Sequence, residues 1–206
     1  MNGIHGATGW GRMRAALLAL ALVAGHAGAG TAKGWRQAAW PAHVQRIDAA
    51  VSEAFRIDAG DGSYPEDFRA ARGLLERARR PQPLGAVEGA WQVRSFQVNR
   101  MGTFAYPWFK ARIWRGSTGL RFEKTSGSQR RSGVLLPHGD GRSLVFLGGT
   151  TVNADPQVGY SAVRAGGEPA ESDTVGRLVR IGPRELLLVL DADREAGRFE
   201  LYHLRR

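Results

Sequence analysis

The stretch that decides the fold is residues 186–190, LLLVL, an uninterrupted apolar run. Turn signals bound it on both sides, with Gly182-Pro183 before it and Glu195-Ala196-Gly197 after it. A short apolar run between turns is typical of a strand buried on both faces, since burial on one face produces alternation. The run therefore predicts a sheet with a second layer packed on it, and the helices upstream are the candidates for that layer.

From Gly89 onward the chain consists of short strand-like segments separated by turns. Leu120 and Phe122 alternate with charged neighbours, which indicates a half-buried strand. Pro107 cannot donate a ladder hydrogen bond, so we expect a sheet edge or a bulge there. The predicted strands are 90–98, 104–115, 119–125, 129–136, 143–151, 158–164, 174–181, 184–191 and 197–204. Such regular spacing predicts an antiparallel sheet that closes into a barrel of eight or nine strands.

The two ends of this region suggest how the barrel closes. Gly89-Ala90-Trp91 opens the first strand, and Arg205 and Arg206 end the last. In a closed barrel these strands are neighbours, and a guanidinium can stack on the indole face. The pattern resembles the G-x-W opening of lipocalin-type barrels, which implies a lipocalin-like (calycin-like) barrel.

Two helices are expected before the barrel. Pro41 suits a first helical turn, and Ser63 is a candidate cap for a second helix that Pro65 begins. The two apolar faces consist of Val44, Ile47, Val51 and Phe55, and of Phe68, Ala71, Leu74, Leu75 and Ala78. The predicted fold class is α+β, with an N-terminal helical hairpin and linker over 30–86 and an antiparallel β-barrel domain over 87–206.

The N-terminus has the pattern of a secretory signal peptide. Arg12 and Arg14 precede the apolar run 15–25, and Ala27-Gly28-Ala29 fits a cleavage site. The run is too short to span a bilayer, which needs about 20 apolar residues. We therefore expect cleavage after residue 29 and a periplasmic or secreted protein without a transmembrane anchor.

Composition restricts the possible functions. The chain of 206 residues has no cysteine, which excludes disulfides, thiolate catalysis and cysteine-ligated zinc. Its formal charge is +10, and residues 87–142 carry most of it. Such a basic region can attract anionic lipid headgroups, acidic polysaccharide or nucleic acid, and export argues against nucleic acid. The competing interpretation is a basic surface that is solvated and binds no anionic partner.

Catalytic and cofactor motifs have no match in the sequence. The G-x-S-x-G elbow, the G-x-G-x-x-G loop, the P-loop and the H-E-x-x-H pair are missing. His43, His138 and His203 are widely separated, so a histidine metal site has no sequence support. We expect a protein that is not an enzyme and that uses no metal or cofactor.

The candidate ligand site is a strand pair rich in basic and aromatic residues. Tyr106, Trp108, Lys110 and Arg112 are two residues apart, which puts them on one strand face. The other candidates, on the next two strands, are Glu123, Lys124 and Arg130. Aromatic rings with interleaved cations suit a glycan or an anionic amphiphile, although packing of arginine stems on the rings would look the same.

Three blocks resemble a family of exported bacterial proteins known as a domain of unknown function, DUF4893. They are residues 104–113, FAYPWFKARI; residues 120–130, LRFEKTSGSQR, followed by Gly133; and residues 144–148, LVFLG. The resemblance implies a signal peptide, a helical stretch and a strand-rich part. It implies no reaction, because the family has none assigned.

These features together favour a periplasmic binding or envelope-interaction module that uses a small β-barrel. Its partner would be an anionic or amphiphilic small molecule, a glycan or an envelope component. One alternative is a hydrolase whose residues meet only in space, for example His203 with a serine and a carboxylate. Another is a structural subunit whose helices dock a partner.

Overall fold

The structure, a computed structural model, describes residues 34–57, 64–117 and 119–206. The predicted signal peptide over 1–29 and the candidate cap Ser63 lie outside these residues. The helices are α1 (Trp35–Ala38), α2 (Pro41–Arg56) and α3 (Pro65–Ala78). The strands are β1 (Gly89–Asn99), β2 (Gly102–Gly116), β3 (Gly119–Lys124), β4 (Gln129–Pro137), β5 (Ser143–Val152), β6 (Asp173–Gly182), β7 (Glu185–Asp193) and β8 (Arg198–Arg205).

The eight strands form a closed antiparallel barrel in chain order, so the predicted α+β fold class is confirmed. Each strand pairs with the next, and β1 also pairs with β8 through partners such as Val93 and Leu204. Three helices precede the barrel, one more than expected, because α1 adds a short turn before Pro41. Among the helices that the structure describes, none is both long and apolar enough to cross a membrane.

The predicted strand at 158–164 is wrong, because this segment is irregular in the structure. It lies between β5 and β6 in the chain, yet those two strands pair directly with each other. Side chains satisfy part of its backbone instead: Val158 N–H donates to Thr151 Oγ1 at 3.1 Å, and Ser161 N–H donates to Asp173 Oδ1 at 2.8 Å. The segment therefore crosses the outside of the barrel as a loop.

The run at 186–190 is buried on both faces, as its sequence predicts. Each of its five residues is 0% exposed. Leu186, Leu188 and Leu190 point into the barrel, where Phe122 and Tyr202 also lie. Leu187 and Val189 point outward and pack under α2 and α3. The helices thus supply the second layer, and they share a hydrophobic core with the barrel.

The buried faces of α2 and α3 agree with the sequence periodicity, except that the buried stripe of α2 is shifted. In α3 the expected residues Ala71, Leu74, Leu75 and Ala78 are buried. In α2 the expected Ile47 is buried together with Ala50 and Ala54, whereas Val44, Val51 and Phe55 are only partly covered. Small side chains let α2 approach the sheet closely, so the buried stripe lies beside the one marked by the larger residues.

The barrel closes where the sequence suggests. The Arg206 guanidinium lies 4.3 Å from the centre of the Trp91 ring, and its Nη1 donates to the Glu88 carbonyl oxygen at 2.8 Å. The Trp91 indole N–H donates to the Val87 carbonyl oxygen at 2.9 Å. The Arg206 side chain thus joins the two ends of the barrel chain, and the Trp91–Val87 hydrogen bond orients the ring on which it stacks.

Substitution of Gly176 by alanine should lower the free energy of unfolding by about 1–3 kcal/mol. A Cβ there would overlap the Val189 carbonyl oxygen on β7, so the two strands would have to move apart. Gly73 in α3 is the matched control, because a Cβ there meets nothing within 4 Å. Gly73→Ala should stabilise by about 0.5–1 kcal/mol through helix propensity. Urea unfolding measures both, and equal effects would contradict the close approach at Gly176.

Candidate functional site

A β-bulge at Pro107 divides the predicted basic and aromatic face. Arg94 on β1 pairs with Trp108, and Phe96 pairs with Ala105, so Tyr106 and Pro107 together oppose Ser95. The bulge is where the missing N–H of Pro107 led us to expect one. The extra residue reverses the alternation of faces. Tyr106 therefore faces the barrel interior, and the expectation that it shares a face with Trp108 is wrong.

The residues after the bulge form an outward-facing surface that we call the basic-aromatic wall. It extends over β8, β1, β2 and β3, because directly paired residues share a face. Its members are Trp108, Lys110, Arg112, Trp114, Arg121 and Arg205. In the described part of the chain, α2 lies on β6 and β7, and α3 reaches β2 near Ala105. The wall is therefore left open to solvent.

Guanidinium groups cover the rings of the wall. The Arg205 guanidinium lies 3.8 Å from the centre of the Trp108 ring. The Arg112 guanidinium lies 4.4 Å from the Trp114 ring, with that of Arg121 at 5.9 Å. Such stacking holds the cations in fixed positions on the surface. The wall is thus an ordered array of positive charge.

Glu123 is the carboxylate that pairs with Arg112 on this surface. Its Oε2 lies 2.6 Å from Arg112 Nη2, and the Arg112 side chain is still 56% exposed. Arg130 faces outward on β4 and donates to the carbonyl oxygens of Asn153 and Asp155 at 2.6 and 2.7 Å. Arg130 thus anchors the loop after β5 and lies apart from the wall.

The barrel interior is filled at one end and polar at the other. Large apolar side chains occupy the filled end, among them Trp91, Phe122, Phe146 and Leu204. The Phe122 and Phe146 rings meet edge to face at 5.7 Å between centroids. Packing of this kind leaves no wide apolar channel along the axis, so the described interior has no room for a large apolar ligand.

The polar end is organised around Arg131, which is buried. Its Nη1 lies 2.6 Å from Glu200 Oε2 and donates to the Tyr202 hydroxyl at 2.9 Å. Its Nη2 lies 3.6 Å from Asp191 Oδ2. Burial alone would lower the pKa of Arg131, but the Glu200 carboxylate outweighs burial and the pKa is raised. Arg131 is therefore a permanent buried cation with its charge balanced.

Lys124 is the second interior cation, and it lines a small cavity of about 70 Å³. It is 3% exposed, and its ammonium lies 4.2 Å from the centre of the Phe109 ring. Nζ donates to the Gln129 carbonyl oxygen at 2.5 Å. Burial lowers the pKa of Lys124 to about 8. The other lining residues are Ser95, Gln97, Tyr106, Phe109, Ser128, Gln129, Glu200 and Tyr202.

A wider cleft of about 530 Å³ opens on the other side of the Arg131–Glu200 pair. Arg46 and Arg198 line it together with Glu171, Asp173 and Asp191. Charges of both signs are thus mixed around its rim. The cleft connects the polar end of the barrel with α2 and with the loop before β6.

The three histidines in the described residues make hydrogen bonds and aromatic contacts. His203 lies on the outer face, with Nε2 at 2.8 Å from Glu185 Oε1 and its ring 5.3 Å from the Trp108 ring. His138 Nε2 lies 3.0 Å from Asp48 Oδ1 on α2. His43 Nδ1 lies 2.7 Å from the Tyr160 hydroxyl.

This placement does not favour the hydrolase alternative. Within the described residues, no serine hydroxyl is a hydrogen-bond partner of His203. The same residues contain no cluster of three or more histidine, aspartate or glutamate groups that could hold a metal ion. Charged and hydrogen-bonding side chains gather at the polar end of the barrel and on the wall.

The sequence interpretation missed Glu200 and Tyr202 as site residues. One signal was available, because Glu200 precedes Tyr202 and Leu204 by two and four residues and so shares a strand face with them. Of the seven candidates, the structure brings Tyr106 and Lys124 together at the small cavity. Trp108, Lys110 and Arg112 meet on the wall, and Glu123 joins them there.

The sequence pattern of one family matches residues 35–204, which include all three helices and nearly all of the barrel. The chain belongs to the family described as domain of unknown function (DUF4893). No curated protein and no solved structure matches this DUF4893 chain. Its site must therefore be interpreted from its own geometry.

Replacement of Glu200 by glutamine in the DUF4893 protein should lower the free energy of unfolding by about 3 kcal/mol, because Arg131 would lose its closest counter-charge. Glu53 is the control, since its pair with Arg56 lies on the surface of α2. Glu53→Gln should change stability by no more than a few tenths of a kcal/mol. Chemical denaturation compares the two, and a small loss for Glu200→Gln would contradict a buried pair.

The pH dependence of stability should report the burial of Lys124. Its pKa is about 8 in the folded chain against the usual 10.5, so the unfolded chain keeps a proton that the folded chain loses. Below pH 8 the buried charge is destabilising. Between about pH 8 and pH 10 the free energy of unfolding of the wild type should therefore rise relative to that of Lys124→Met. A constant difference over this range would show that the ammonium is well solvated.

Proposed function

We propose that this protein is an exported binding module that attaches to the anionic lipid surface of the envelope through its basic-aromatic wall. The bulge at Pro107 is the observation that carries the proposal, because it turns Trp108, Lys110 and Arg112 to the side of the barrel that the described helices leave open. The signal-peptide pattern of the N-terminus supports export.

Charge complementarity favours an anionic surface. Four cations of the wall, Lys110, Arg112, Arg121 and Arg205, lie beside two carboxylates. Glu123 pairs with Arg112, and Glu185 is already paired with Arg77 and His203. A cluster of cations on one face gains about 1 kcal/mol per residue near an anionic leaflet. Tryptophan also prefers the headgroup region of a membrane, and Trp108 and Trp114 lie among the cations.

The covered rings favour phosphate over sugar as the group that is recognised. A sugar would stack on a free aromatic face, but Arg205 lies on Trp108 and Arg112 lies on Trp114. The exposed edges of the guanidinium groups remain available, and guanidinium binds phosphate through paired hydrogen bonds. Phosphate-bearing lipid headgroups are therefore the partner with the best match.

The alternative of helices that dock a partner has less support. The apolar faces of α2 and α3 are already buried against the barrel, as Ala54 and Leu75 show at 0% exposure. A partner would have to bind the polar faces of these helices.

Binding to vesicles tests the proposal. The wild type should bind an equimolar mixture of phosphatidylglycerol and phosphatidylcholine and should not bind pure phosphatidylcholine. The triple variant Lys110→Gln, Arg121→Gln, Arg205→Gln should lose about 3 kcal/mol, roughly a hundredfold in affinity. Arg112 is kept in this variant so that Glu123 retains its partner. Cosedimentation measures the affinities, and added salt should weaken them.

The matched control removes the same charge elsewhere. Arg69, Arg80 and Arg142 are exposed and lie away from the wall. Their triple glutamine variant should bind the anionic vesicles within about threefold of the wild type. Equal losses in both variants would show that net charge alone drives binding, and the wall would then have no special part.

A further inference from the structure

We propose that the small cavity beside Lys124 is a binding site for the carboxylate group of a small organic acid. The site is distinct from the basic-aromatic wall, because Lys124 points into the barrel whereas Lys110 and Arg112 point outward. The proposed carboxylate site therefore does not depend on the proposed attachment to membranes.

Lys124 is the cation at the polar end whose ammonium is hydrogen-bonded to no carboxylate in the described residues, although Glu200 lines the same cavity. Arg131 is balanced by Glu200 at 2.6 Å and by Asp191 at 3.6 Å. Among the described residues, Lys124 has no carboxylate within 4 Å, and its hydrogen bond goes to the neutral Gln129 carbonyl oxygen. A buried ammonium with only neutral partners is costly, and an anion in the adjoining cavity would offset that cost.

The cavity offers polar groups to such an anion. The side chains of Gln97, Gln129 and Tyr106 form a chain, since Tyr106 donates to Gln97 Oε1 at 3.0 Å and Gln97 donates to Gln129 Oε1 at 2.7 Å. Ser128 lines the same space at the rim, and the Tyr202 hydroxyl accepts from Arg131 and keeps its own proton to donate. Hydroxyl and ammonium donors thus converge on one small volume.

Size and charge select a carboxylate among small anions. A volume of about 70 Å³ has room for a group of only a few heavy atoms. The Glu200 carboxylate lines the same cavity and would repel a second negative charge, so a monoanion fits beside Lys124 better than the dianion of a phosphate monoester. The charged or titratable groups around Lys124 are Tyr106 on β2, Arg131 on β4, Asp191 on β7, and Glu200 and Tyr202 on β8, and Arg130 acts on its charge from the outer face of β4. None of these carboxylates is free to leave Arg131 for Lys124.

NMR titration of the lysine side chains tests the site directly. Lys33, Lys110 and Lys124 are the lysines of the chain, so the Cε–Hε signals are few and can be assigned with Lys→Arg variants. Acetate should raise the pKa of Lys124 from about 8 and leave that of Lys110 unchanged. Affinity should fall about tenfold for each pH unit above the pKa, because binding requires the ammonium form. Sodium chloride at the same ionic strength is the control.

A size series and two variants complete the test. Formate and acetate should bind, and pivalate should bind at least about tenfold more weakly because its branched carbon exceeds the cavity. Binding of acetate should raise the melting temperature of the wild type. Lys124→Met should abolish this increase, whereas the wall variant Lys110→Gln, Arg121→Gln, Arg205→Gln should retain it. If Lys124→Met does not fold, the titration of the wild type decides alone.

Three results would overturn the proposal. The first is an acetate effect on Lys124 no larger than that of chloride, which would leave Lys124 as a purely structural residue. The second is an equal effect on Lys110, which would indicate nonspecific ion binding. The third is tighter binding of methyl phosphate than of acetate, which would exclude the carboxylate as the preferred group.

Discussion

The structure depends on the pairing of β1 with β8, which closes the sheet into a barrel. Once the sheet is closed, each position along a strand faces either the interior or the outside, and a shift of one residue exchanges the two. Val93 and Leu204 pair across this seam, and Arg206 on Trp91 covers its end. The interior cavity and the outward basic-aromatic wall both follow from which residues face the interior of the barrel and which face outward.

One of the three irregularities in the described strand pairing, the bulge at Pro107, separates the two candidate surfaces. Pro107 cannot take part in a regular ladder, so β2 carries an extra residue opposite Ser95. Before the bulge, Tyr106 lines the small cavity; after it, Trp108 begins the basic-aromatic wall. Without the bulge these two side chains would share a face, and one of them would leave its present neighbours.

The interior combines dense apolar packing with a buried ionic cluster. Filling one end with Phe122 and Phe146 makes the barrel rigid, and this rigidity holds Arg131 and Glu200 in place at the other end. Buried ion pairs contribute little to stability compared with apolar residues of the same size. An ionic cluster beside a cavity suits the binding of a charged group, and Lys124 is the side chain that such binding would use.

The sequence by itself determined the fold class, because periodicity and turn residues are local properties. The run at 186–190, the strand alternation and the position of the bulge were all visible in the chain, whereas 158–164 looked like a strand and became a loop because β5 and β6 pair directly. Only the tertiary structure decided the site. Arg131 and Glu200 come from strands 69 residues apart and meet through closure of the barrel, and Trp108 gains its Arg205 neighbour in the same way. Such contacts depend on register and closure, which no local pattern encodes.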